Sequence, residues 1–165
     1  MINNSHLREY IIRPSLTALD KWSEEAEELL VLTCAQESLG ATYLHQEKGP
    51  ALGIFQMEPL TYTDIWEKYL PYKAELVHKM LNYLEYSRRP TAEVMIYNLS
   101  YAAMMTRIYY LRIEEALPKA DDISGLARYW NEYYNCNPNK GTDSEAIQNY
   151  LKFTGKTKGV KLNGK

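Results

Sequence analysis

Apolar residues recur at helical spacing along nearly the whole chain, three and four positions apart with polar residues between. Residues 4–13 read as a short helix ended by Pro14. The next begins after Ser23, a good N-cap, with Glu24 and Glu25 in the first turn where the helix dipole favours acids. Its apolar stripe runs Ala26, Leu29, Leu30, Thr33 and Cys34, and Gly40 supplies the stop. Residues 41–57 read as a loop turning at Lys48-Gly49-Pro50. Pro59 suits the first turn of a helix carrying Ile65, Trp66 and Tyr69, which Pro71 interrupts. Leu76, Met80, Leu81 and Leu84 mark another. Thr91 is placed to cap one long helix with the face Val94, Tyr101, Ala102, Met105, Ile108, Tyr109 and Ile113, ending before Pro118. Asp121 or Asp122 starts the next, turning Ile123, Leu126, Ala127, Trp130 and Tyr134 inward. After the loop Asn135–Gly141, a Thr142–Glu145 capping box opens a last helix through Phe153. No segment alternates long enough to build a sheet, and there is no internal repeat. The pattern predicts a single all-α domain over residues 1–153.

Residues 154–165 are read as a loose basic tail: from Lys152 onward there are lysines and glycines and no acid. At 165 residues the chain is long enough to bury roughly 70% of its unfolded surface without disulfides or a structural metal. The formal charge of −2 argues against a nucleic-acid partner. No apolar run approaches a membrane span. The N-terminus lacks the basic-then-apolar order of a secretory signal, so synthesis in a reducing cytoplasm is expected, with Cys34 and Cys136 as free thiols. His6, His45 and His78 are scattered, so no metal and no cofactor is expected.

The segment Cys34-Ala35-Gln36-Glu37-Ser38-Leu39-Gly40 carries the candidate chemistry. Leu30, Thr33, Cys34 and Glu37 share one helix face, so Glu37 extends the apolar stripe at the helix's negative end. Partial burial and that dipole both disfavour ionisation, as a general acid near neutral pH requires. An outward-tilted, solvated Glu37 is the plain alternative.

Glu37-Ser38, followed nineteen residues after the glutamate by Gln56 within Gly53-Ile54-Phe55-Gln56-Met57, resembles the paired signature of the lytic transglycosylase and goose-type lysozyme superfamily. A third element of that family, an alanine-tyrosine-asparagine motif on a late helix, is approximated by Leu126-Ala127-Arg128-Tyr129-Trp130-Asn131. Either Tyr129 matches the tyrosine, or Trp130-Asn131 matches the pair one step later. The resemblance covers about residues 23–153 and is nearest to phage-encoded members.

The resemblance implies a lysozyme-like helical fold and cleavage of the β-1,4 bond between N-acetylmuramic acid and N-acetylglucosamine in bacterial peptidoglycan. It makes Glu37 the acid and then the base, with Ser38 orienting substrate or glutamate. Gly53 would admit the sugar to the backbone, Gln56 would hydrogen-bond glycan or water, and Met57 would form apolar wall; a turn glycine, a surface glutamine and a core methionine are the plain alternatives. Tyr129, Trp130, Asn131 and neighbouring Tyr133 would complete the cleft. In this family one glutamate serves both steps and the muramyl 6-hydroxyl replaces water, leaving 1,6-anhydromuramyl ends. A hydrolytic muramidase would need a second carboxylate, for which Glu47, Glu58 and Asp64 are the candidates, although Glu58 before Pro59 reads more simply as a helix-start residue and Asp64 as part of a solvated face. The expected protein is a monomeric endolysin or virion lysin made in the host cytoplasm. It would reach the wall by a holin-type route or in the virion. A non-enzymatic virion protein with a lysozyme-like fold is the alternative of another class.

Overall fold

In the computed structural model, which describes residues 1–135 and 141–156, helices are built around one helix that is buried on every side. That helix is α3, Glu24–Ser38, capped at its start by Ser23, whose Oγ accepts the Ala26 N–H at 3.1 Å. Every residue from Ala26 to Ala35 is buried, so α3 has no solvated face there. It packs against α8 (Ile123–Tyr133) and α9 (Asp143–Thr154), and against α7 (Leu99–Tyr110) and the N-terminal helical segment. The described residues contain no strand; two isolated bridges, His45 with Leu52 and Leu52 with Met57, organise the loop that follows α3.

The N-terminal segment runs through Pro14 instead of stopping there. After α1 (Asn4–His6), a π-helical stretch, Leu7–Ile12, leads into α2 (Arg13–Ala18). The Arg13 N–H donates to the Arg8 carbonyl five residues back, and this wider turn makes room for a ring that would clash in a regular helix. The turn also aims two arginines at α3. Arg8 grips Glu28 in a two-pronged pair at 2.7 and 3.0 Å, and Arg13 grips Glu27 at 2.8 Å through both prongs. Trp22 Nε1 donates to Glu27 at 2.7 Å, and the Tyr150 hydroxyl donates to Glu28.

Beyond the loop, Pro59 opens α4 (Pro59–Asp64), as expected. A π-helical stretch, Ile65–Tyr69, and a 3-10 turn at Leu70–Tyr72 follow, and Pro71 ends the run before α5 (Ala74–Tyr83). The long helix expected from Thr91 is two helices, α6 (Val94–Tyr97) and α7. Asn98 parts them: its backbone is extended, and its side chain accepts the Tyr101 N–H at 2.9 Å. Asparagine competes with the helical backbone in this way, and an apolar periodicity does not register it. Asp122 caps α8, and the Thr142–Glu145 capping box on α9 is fully formed. The last helical residue is Thr154. Lys156 then reaches back, its Nζ donating to the Tyr150 hydroxyl at 2.6 Å, so the packed chain extends slightly past residue 153. Cys136, residues 136–140 of the expected loop and residues 157–165 of the expected tail lie outside the described residues. Cys34 is a buried free thiol, pushed up to about 12 by burial. No described helix is long and apolar enough to cross a membrane. No three His, Cys, Asp or Glu side chains gather into a metal-binding group among the described residues.

Candidate active site

The C-terminal end of α3 emerges from the core into an open cleft of about 440 Å³. Glu37 and Gln56 line it together, which joins the two halves of the motif pair across nineteen residues of sequence. Glu47 lines the same cleft, as do Gln36, Gln46, Tyr43 and Lys48. Glu37 is half-buried, and the indole N–H of buried Trp130 donates to its Oε1 at 2.9 Å. One carboxylate oxygen is thereby held by a side chain of α8, fixing the plane of the acid from behind.

Ser38 lies beneath the cleft and not in it. It is fully buried, its hydroxyl donates to the Ile54 carbonyl at 2.6 Å, and its oxygen accepts the Ala41 N–H at 2.9 Å. The helix end is therefore tied to the Gly53–Met57 turn by the residue next to the glutamate. The chain leaves α3 through three consecutive left-handed residues, Leu39, Gly40 and Ala41. The expected stop at Gly40 thus comes one residue earlier, at Leu39, a conformation costly for a side chain with a Cβ. The Ser38 hydrogen bonds hold this exit.

Gly53 faces the protein and not a ligand. With φ at +72°, an added Cβ would lie 2.4 Å from the Met95 carbonyl oxygen, so the close approach it permits is to α6. Met57 is buried at 2% exposure and is core rather than cleft wall. Gln56 has a left-handed backbone at φ +50°, and its Nε2 donates to the Gly53 carbonyl at 2.8 Å. The amide is held across its own turn, half-buried, at the cleft edge.

The third element divides. Trp130 meets Glu37. Tyr129 instead donates its hydroxyl to the Glu115 carbonyl at 3.1 Å and packs edge-on against Tyr133, away from the cleft lining. Asn131 Nδ2 donates to Asp143 at 2.7 Å, pinning α8 to the start of α9. Of the carboxylates proposed beside Glu37, Asp64 is taken by Lys68 and Arg112; a hydrogen bond from Lys68, then Arg112, holds it below its ordinary value despite some burial. Glu58 sits at the N-cap position of α4, outside the cleft lining. Only Glu47 of the three lines the cleft.

Two further side chains support the site, neither of them a candidate site residue in the sequence. Tyr134 donates its hydroxyl to the Phe55 carbonyl at 2.8 Å and stacks on Tyr110, whose hydroxyl meets Thr33 on α3. Helical spacing already turns Tyr134 inward with Trp130; what the sequence carries no signal for is the tie of its hydroxyl to the Gly53–Met57 turn. Gln36, beside Glu37, is held from α9 by the Asn149 amide at 2.8 Å. Around one acid, then, α3, α8, α9 and the Gly53–Met57 turn converge. No family model, curated protein or solved structure matches this chain in the three comparisons made with known proteins.

Proposed function

We propose that the protein is a peptidoglycan-degrading lytic transglycosylase that cleaves the MurNAc-β-1,4-GlcNAc bond with Glu37 as its one catalytic acid and base. The observation that carries this reading is the shared cleft of Glu37 and Gln56, with the carboxylate oriented by Trp130. Protonated Glu37 gives its proton to the glycosidic oxygen as the bond to the muramyl C1 breaks, and the N-acetylglucosamine leaves with its 4-hydroxyl restored. The muramyl 6-hydroxyl then closes on C1 and returns its proton to Glu37. Intramolecular attack of this kind gains from proximity. The Trp130 N–H stabilises the carboxylate between the two proton transfers, and the Gln56 amide is placed at the cleft edge to hold glycan. Bacterial peptidoglycan is the proposed partner, met by an endolysin or virion lysin.

A specific observation favours a second reading. Glu47 lines the cleft and supplies the further carboxylate that a hydrolytic muramidase uses to activate water. Digestion of purified peptidoglycan in oxygen-18 water separates the two. Anhydromuramyl products lighter by one water and free of label are expected; hydrated, labelled products would make Glu47 the partner acid and the enzyme a muramidase. The replacement Glu37→Gln keeps shape but delivers no proton, so turnover should fall roughly a hundredfold to ten-thousandfold with melting unchanged. Full activity of that variant would take the catalytic role away from Glu37, and no products from the wild type would remove the enzymatic reading in favour of a structural protein.

A further inference from the structure

A second cavity, of about 430 Å³, opens where the start of α5 meets the Tyr69–Lys73 turn, and shares no lining residue with the Glu37 cleft. Lys21, Lys73 and Lys79 line it against a single acid, Glu75, in a chain whose formal charge is −2. Lys79 is already paired, with Asp20 at 2.6 Å and Glu75 at 2.5 Å. Lys21 and Lys73 make no ion pair among the described residues; Lys73 instead stands over the Tyr69 ring, 5.4 Å from its centre.

Behind this wall is a fourth cation. Arg107 of α7 donates its Nε to the Lys21 carbonyl at 3.0 Å and has no carboxylate partner among the described residues. Burial pulls its ionisation down, and only the phenols of Tyr129 and Tyr69 act against that. Burial likewise pushes the Tyr69 hydroxyl up, offset in part by the charges of Arg107 and Arg112. A half-buried guanidinium with no acid leaves a charge that a bound anion would satisfy. The outer wall is aromatic: Tyr72 is 82% exposed, with no role in the core.

We propose that this cavity is an accessory binding site for a phosphate group carried on a sugar or polyol. Lys21 and Lys73, backed by Arg107, receive the phosphate, and the faces of Tyr69 and Tyr72 cover the sugar or polyol body. The site is independent of what Glu37 does. Two sources share this chemistry, a free sugar phosphate and a phosphodiester-linked polyol chain.

Calorimetric titration of the full chain with inorganic phosphate, glucose 6-phosphate and poly(glycerol phosphate) tests it. Glucose 6-phosphate or the polymer should bind more tightly than inorganic phosphate, and added salt should weaken the binding. Tighter binding of the polymer identifies the phosphodiester chain; tighter binding of glucose 6-phosphate identifies the free sugar phosphate. Lys73→Glu and Lys21→Glu change exposed side chains and should each cut affinity roughly tenfold or more while leaving melting and peptidoglycan cleavage unchanged. No binding of any probe at millimolar concentration overturns the proposal. So does affinity that both lysine variants leave intact, or inorganic phosphate binding as tightly as the other two, since the tyrosines would then cover nothing.

Discussion

At the scale of single residues, Gln56 carries both the motif and a conformational cost. Its backbone lies at φ +50°, where side chains with a Cβ are strained by about 1–2 kcal/mol, yet it is held there by its own amide and by the cleft edge it lines. Replacing it with glycine removes the strain and the amide together. Gln56→Gly is therefore expected to leave urea stability unchanged or raise it by up to about 1 kcal/mol, while turnover on peptidoglycan falls. A loss of both would make Gln56 a structural residue only. The pairing of Glu37 with Gln56 was legible in the sequence because two short motifs at a fixed order carry it. The places of Gly53, Met57 and Ser38 were not, because a motif names residues without saying which side of a turn each faces. Gly53 and Met57 turn toward Met95 and the core, and the Ser38 hydroxyl is consumed by the Ile54 carbonyl.

At the scale of elements, caps and prolines were read well where the signal is local, as at Ser23, Pro59, Asp122 and Thr142. The stripe on α3 was not a guide to its exposure, because a helix surrounded by partners has no polar face to reveal. Its acids Glu27 and Glu28 are buried because Arg8 and Arg13 come across from the N-terminal segment, a pairing set by the π-helical turn before Pro14. Burial alone pushes the Glu27 carboxyl up, but hydrogen bonds from Arg13 and Trp22 and the charges of Arg13 and Arg8 outweigh it and leave it below its ordinary 4.5. A carboxyl lowered on folding adds stability above its unfolded value and loses it as pH falls through the folded one. The stability gap between wild type and Glu27→Gln in urea should thus be full near neutrality and shrink as pH drops below about 4.5. A gap that widens in acid would mean the ion pairs do not hold these helices together. The tie between α3 and the Gly53–Met57 turn has its own measure. Ser38→Ala leaves the Ile54 carbonyl and the Ala41 N–H without their partner, a loss of about 2–4 kcal/mol. If stability holds and only activity falls, Ser38 serves substrate instead.

At the scale of the whole molecule, the acid of the cleft and the buried thiol of Cys34 belong to one helix. Cys34 stands one turn before Glu37, fully buried, its thiol pushed up to about 12 by burial. With α7, α8, α9 and the N-terminal segment packed around α3, opening that helix would expose the centre of the core. The loop between α3 and α4 contributes Tyr43, Gln46, Glu47 and Lys48 to the cleft lining and is held by two bridges. The packing around α3 sets the Glu37 carboxylate against the Trp130 indole. It also makes Cys34 a reporter of global unfolding. In a Cys136→Ser variant, alkylation of the native protein near neutral pH should be slower than that of the unfolded chain by about the unfolding constant, on the order of 10³ or more. The rate should rise with urea along the same slope as the circular dichroism transition. Labelling faster than this, with a shallower dependence on urea, would reveal local opening of α3 and would mean that Glu37 sits on a moving element.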